Sequence, residues 1–213
     1  MYFEEFAKQA RLLGIFDSSA VLPFYASRQQ AQRQLSDWVR AGKLLKLRRG
    51  TYTFLPPYVG ERPLRYVVAN QLVASSYVSL QTALSYYALI PEHVASVTNV
   101  TTGRPMTLVN EFGRFMYRHI KQPFFFGFRY RQISNRQSAY IATPEKALLD
   151  LIYLTPDGDN EAYIQELRLQ NLDVLNTTHL CYLVDYANQP KLKRALPHLL
   201  SIIKEETEGY ITL

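Results

Sequence analysis

Seven basic side chains, Arg28, Arg33, Arg40, Lys43, Lys46, Arg48 and Arg49, fall between Ser27 and Phe54 with one acid, Asp37, among them. The stretch carries a charge of +6, as large as the net charge of the whole 213-residue chain. Arginine and glutamine pair with the major-groove edges of guanine and adenine, and basic groups neutralise phosphate. Arg28, Gln29, Gln30 and Arg33 are spaced to project from the first turns of one helix, where they would read base edges. Ser27 and Lys43 would touch phosphate. Arg48 and Arg49 sit at a turn, from which they would clamp the backbone or reach the minor groove. This chemistry is binding rather than bond-making.

Catalytic chemistry finds less support. His93, His119, His179 and His198 are far apart and lack metal-ligand spacing,. There is no glycine-rich phosphate loop and no nucleophile elbow. Residues 56–140 hold only Glu61, Glu92 and Glu111 as carboxylates, too few to hold magnesium for a nuclease,. His119 reads as a strand residue with a satisfied hydrogen bond. The single cysteine, Cys181, lies in an apolar helical run and reads as a core residue; it excludes an internal disulfide and suits a reducing cytoplasm,. No catalytic residue, metal site or cofactor is expected.

The elements that must position the basic residues follow from periodicity. Ser27 is a good N-cap, and Ala31, Leu35, Trp38 and Val39 form one buried stripe opposite Gln29, Arg33, Ser36 and Arg40. Ala41-Gly42 ends the helix. Leu45 and Leu47 then alternate with Lys46 and Arg48 as a half-buried strand, Arg49-Gly50 turns, and Tyr52 and Phe54 return. Upstream, residues 1–16 read as a helix with a stripe of Phe3, Phe6, Ala10 and Leu13, and Asp17-Ser18-Ser19 caps a short second helix ending near Tyr25. Three helices and a β-hairpin make a winged helix-turn-helix over residues 1–57, closed by a linker around Pro56-Pro57.

Residues 62–213 read as a second, mixed α/β domain with a small sheet and flanking helices, so the fold class is α+β. No charge occurs between Arg65 and Glu92, but polar residues interrupt the run, which predicts a buried helix pair (Pro63 to about Val73, Ser79–Leu89) rather than a membrane span. Strands are expected at Ser96–Thr102, Met106–Asn110, Gly113–Ile120, Phe124–Ile133 and Ala139–Ala142. Helices follow at Thr143–Leu154 and near 159–170, 177–187 and 191–206. Within TPEKALLDLIY, Thr143 caps, Pro144 takes the first position, Ala147, Leu148, Leu151 and Ile152 face the core, and Lys146 and Asp150 form an i, i+4 surface pair. Alternation places Arg129 and Arg131 on one strand face opposite Phe128 and Tyr130. With Arg114 and Arg118 they would build a second basic surface on the sheet.

Behind the basic N-terminal region come SLQTALSYYALIP, VTNVTTGRP, FGRFMYRHI, FFFGF and ATPEKALLDLIY, in that order. This series resembles the AbiEi family of bacterial antitoxins and related transcriptional regulators, over roughly residues 1–155. The resemblance implies a cytoplasmic protein that represses its own promoter, a double-stranded DNA that could hold inverted repeats. It also implies a C-terminal domain that counteracts a nucleotidyltransferase-like toxin without forming a stable complex with it. The charge distribution is compatible: residues 1–55, 56–140 and 141–213 carry +5, +6 and −5, so nucleic acid is drawn to the first two-thirds,. The same residues fit a second reading, a module whose winged helix docks a partner protein, and a third, a nuclease.

Overall fold

A computed structural model describes residues 3–10, 14–92 and 94–209. It holds an α+β arrangement with two sheets and two separate hydrophobic clusters. Helix α1 (Phe3–Ala10) buries Phe3, Phe6, Ala7 and Ala10, the expected stripe as far as it is described; Leu13 and His93 lie outside the described residues. The helix does not run on to Phe16. Ile15–Asp17 is strand β1, because Gly14 takes a left-handed φ of 64° and redirects the chain into a sheet,. The expected second helix is instead a pair of 3₁₀ turns, Ser18–Ala20 and Leu22–Phe24. Asp17 caps the first by accepting from Ser19 N, and Pro23 sits in the second.

Helix α2 (Arg28–Arg40) opens and closes where its sequence says it should. Ser27 is extended, and its Oγ accepts from Gln30 N at 3.3 Å. At the far end Lys43 N reaches Trp38 O and Gly42 N reaches Val39 O, the pair of bonds that a left-handed glycine permits,. Strands β2 (Leu44–Arg48) and β3 (Thr51–Phe54) follow, and β3 lies between β1 and β2 in an antiparallel sheet. The simple alternation of Leu45 and Leu47 does not hold. The register shifts between Lys46 and Arg48, so Leu44 and Leu47 are buried and Leu45 only partly,. Ala31, Leu35, Trp38, Leu44, Tyr52 and Phe54 close the smaller core over α1, with Phe6 stacked on Trp38 at 5.4 Å. Tyr58, just past the paired prolines, packs edge-on against Phe3, so the expected linker is partly drawn onto this core.

The larger unit is a six-stranded mixed sheet in the order β6-β7-β5-β4-β9-β8. Its strands are β4 (Ser76–Val78), β5 (Val97–Thr101), β6 (Met106–Asn110), β7 (Gly113–His119), β8 (Phe128–Gln132) and β9 (Ser138–Ala142). Its helices are α3 (Arg65–Leu72), α4 (Leu80–Tyr86), α5 (Pro144–Leu154), α6 (Glu161–Glu166), α7 (Thr177–Ala187) and α8 (Pro190–Gly209). The uncharged stretch after Arg65 is not a simple helix pair: strand β4 separates α3 from α4 and joins β5 and β9 near the middle of the sheet. A three-residue strand buried on both faces has no alternation to show,. β8 begins only at Phe128, after a 3₁₀ turn at Gln122–Phe124.

Neighbouring residues of β5 fix the two faces of this sheet. Asn99 partners Tyr117, whose hydroxyl donates to Ala69 O in α3; Val100 partners Tyr77, whose hydroxyl reaches Asp150 in α5,. The smaller unit docks on the β6–β7 hairpin. Asn110 Nδ2 donates to Leu47 O at 3.3 Å, and Ile15 and Leu47 join the larger core. Among the described residues, no helix is long and apolar enough to cross a membrane.

The smaller core rests on few side chains, so each carries a large share. Phe6→Ala is expected to lower stability by about 3–5 kcal/mol. The check is urea unfolding followed by fluorescence of Trp38, the chain's single tryptophan, whose buried ring reports on this core.

Candidate nucleic-acid interface

The buried stripe of α2 leaves Arg28, Gln29, Gln30, Gln32, Arg33 and Ser36 exposed. Arg28 and Arg33 make no ion pair or side-chain hydrogen bond with the described residues, and the first acid on this face, Asp37, is paired with Arg40. The strand that follows α2 runs back toward the helix start, carrying Arg48 and Arg49 with it. Ser18 N donates to Gly50 O at 2.7 Å, which pins the hairpin tip to the first 3₁₀ turn. That turn shares a groove of about 330 Å³ with Arg28 and Gln32 of α2, through Asp17, Ser18 and Ser19. Arg48 is held along its strand by Nε donating to Thr51 Oγ1 at 3.3 Å, and Arg49 projects from the turn. Gly50 has a φ of 85°, which a bulkier residue adopts only with strain,. Sequence-distant arginines at positions 28, 48 and 49 are thereby brought to one end of α2.

Lys43 and Ser27 stand at opposite ends of this helix. The Lys43 ammonium lies 3.5 Å from Glu4 Oε1 and 4.7 Å from the centre of the Phe3 ring, tying the end of α2 to α1. Ser27 spends its oxygen as the acceptor of the helix cap and keeps its proton to donate,.

The second basic surface does not form as one patch. Arg114 and Arg118 belong to β7, and Arg129 and Arg131 to β8, with β5, β4 and β9 between them. At about 4.8 Å per strand the two pairs are roughly 19 Å apart. Arg118 Nη2 donates to Leu154 O at the end of α5, a cation on exposed carbonyls of a helix C-terminus,. Strand β8 is an edge. Its expected division into an arginine face and an aromatic face holds: Phe128 and Tyr130 both meet the Tyr140 ring of β9, at 5.9 and 5.0 Å, opposite Arg129 and Arg131,. That aromatic face is only partly covered, for Tyr130 is 65% exposed while Phe128 also stacks inward on Tyr77 at 4.4 Å. His119 does have its partner, Gly103 O at 2.9 Å. Cys181 is half-buried rather than in the core.

One pair was misplaced by pattern alone. Lys146 and Asp150 are not on the helix surface: both side chains are 0% exposed. The ammonium contacts Asp150 Oδ1 and lies 4.1, 4.9 and 5.8 Å from the rings of Phe124, Phe126 and Tyr77. Asp150 Oδ2 accepts from Tyr77 Oη at 2.9 Å and Ser79 Oγ at 2.7 Å. Burial drives the Asp150 carboxyl up and the Lys146 ammonium down, while their mutual attraction opposes both,. Gly127, at φ 71°, lies against the lysine stem; a Cβ there would come within 2.9 Å of Lys146 Cγ. The signal that could have shown this is the remainder of α5 after Glu145, apolar on every face, which marks a helix enclosed on all sides,. A further link, Glu145 to Asn176 N at 2.9 Å and His179 Nδ1 at 3.1 Å, joins the starts of α5 and α7.

Among the described residues, no group of three or more histidine, cysteine, aspartate or glutamate side chains is placed to hold a metal ion. No protein-family model matches the chain, and no curated protein matches its sequence.

Asp150→Ala strips a buried ammonium of its counter-ion and is expected to cost about 3–5 kcal/mol in urea unfolding. Lys146→Met combined with Asp150→Leu should recover part of that loss. The remainder would come from the Tyr77 and Ser79 hydroxyls left without their acceptor. A loss below about 1 kcal/mol for Asp150→Ala would show that the pair is not enclosed.

Proposed function

We propose that the chain is a sequence-specific DNA-binding transcriptional regulator whose residues 1–57 act as a winged helix. In this reading α2 is the recognition helix and the β2–β3 hairpin is the wing, with two 3₁₀ turns standing where a helix usually precedes the recognition helix. The observation that carries the reading is the partner-free face of Arg28, Gln29, Gln30 and Arg33, with the Arg48-Arg49 tip pinned beside its first turn through Ser18. A helix of 13 residues is about 20 Å long and fits the major groove, and an adjacent basic turn meets phosphate or the minor groove,. Lys43, engaged by Glu4, takes a smaller part than the wing arginines.

The motif series that resembles the AbiEi family extends the proposal. The protein represses its own promoter, and the larger unit counteracts a nucleotidyltransferase-like toxin without a stable complex. The large mixed sheet, docked on the hairpin strand through Asn110 and Leu47, supports a unit with a task of its own, held in a defined relation to the DNA reader.

The decisive experiment titrates the pure protein against its own promoter fragment and a scrambled duplex at two salt concentrations. Tighter promoter binding, weakened by salt, is expected. Arg33→Ala should cost about 1–3 kcal/mol on the promoter and relax its sequence preference, whereas Arg49→Ala should weaken both duplexes alike and lower the salt slope by about 1. Equal losses on both duplexes for both variants would overturn this division of roles. No binding to either duplex, with tight binding to a partner protein, would overturn the DNA reading itself.

A further inference from the structure

The larger unit contains a cavity of about 400 Å³ that the DNA reading does not use. It opens between α3 and α4, with Leu64, Val94, Val97 and Ile133 among its apolar walls. The rings of Tyr66 and Tyr86 meet edge-on inside it, with centroids 6.0 Å apart at 73°. A volume of this size, mostly apolar with a few polar groups, is typical of small-molecule sites.

Besides the two tyrosines, three polar residues line it: Arg65, Thr82 and Ser85. Thr82 is already committed, its hydroxyl donating to Ser96 O and accepting from Thr98 N at 2.8 Å. Arg65 is only partly satisfied. Nη2 donates to Ala95 O at 2.5 Å, Nε is enclosed without an acceptor, and no carboxylate among the described residues pairs with the guanidinium. The group is nevertheless fixed in place. Gly113, at φ 116°, lets the β6–β7 turn press against it so closely that a Cβ would lie 3.0 Å from Nη2. A half-buried cation with no counter-ion among the described residues, tethered at Nη2 and sharing the cavity wall with two tyrosine rings, is arranged for a planar anion. A guanidinium takes a carboxylate in paired hydrogen bonds, and tyrosine rings favour an aromatic body at low entropic cost. Burial raises the Tyr66 hydroxyl above its ordinary range, so it stays protonated and able to donate.

We propose that this cavity binds a small aromatic carboxylate, its carboxylate on Arg65 and its ring against Tyr66 and Tyr86. The site is independent of whether the smaller unit reads DNA.

Isothermal titration of the full chain with benzoate and 4-hydroxybenzoate tests the assignment, with neutral benzamide and aliphatic butyrate as controls. At least one aromatic acid should bind saturably at one site, with benzamide and butyrate weaker by about tenfold or more. Arg65→Met should abolish binding. Because that change also removes the bond to Ala95, Ser85→Trp is made in parallel: it fills the cavity without touching the cation and should abolish binding in a protein with unchanged far-ultraviolet circular dichroism. Absence of binding by both acids at millimolar concentration would overturn the proposal. So would equal affinity for benzamide, or binding that survives Ser85→Trp.

Discussion

A lysine and an aspartate with no exposed surface sit at the centre of the larger unit, and the packing around them follows from the need to satisfy both. An isolated charge at that depth would cost several kcal/mol, so the chain must bring it partners from separate segments. Asp150 draws the hydroxyls of Tyr77 and Ser79, which flank the inner end of β4, onto α5. Lys146 draws the aromatic residues that follow β7 over its ammonium, and Gly127 over its stem. Three stretches far apart in sequence are thereby fixed relative to one another, and α5 becomes the axis against which α4, α7 and α8 pack.

The smaller unit obeys a different constraint. Among its described residues there is no buried ion pair; its core is a cluster of rings from α1, α2, β1 and β3. Rings fill a small core efficiently, and they leave the outer face of α2 free of structural duty. Its exposed arginines and glutamines are therefore available for a ligand, while Lys43 and Arg40 at the far end of the helix are taken up by Glu4 and Asp37. The contact between Asn110 and Leu47 and the burial of Ile15 and Leu47 mean that the hairpin strand belongs to both cores. Changes at the β6–β7 hairpin have a short path to Arg48 and Arg49.

How much of this was legible varied with the kind of signal. Helix α2 was readable end to end, because a capping serine, a 3.6-residue stripe and a left-handed glycine are local features,. Strand β6 and helix α7 likewise fall where their patterns place them. Strand β4 was not readable: three residues buried on both faces carry no alternation. The bulge between Lys46 and Arg48 was hidden too, since a bulge trades the burial of Leu45 for that of Leu44 without changing composition. Arg114, Arg118, Arg129 and Arg131 read as one surface because their strands are close in sequence, yet the strand order places them on opposite parts of the sheet.

The sequence by itself determined the α+β class, the cap and stop of α2, the charge of its exposed face, and the i, i+4 spacing of Lys146 and Asp150, for each depends on residues within a few positions of one another. Only the tertiary structure decided that this pair is buried, that Gly50 is pinned beside α2 by Ser18, and that Arg65 lines a cavity with no counter-ion among the described residues. Those outcomes depend on which distant segments close over a side chain. A lysine carries the same letter whether water or three aromatic rings surround it.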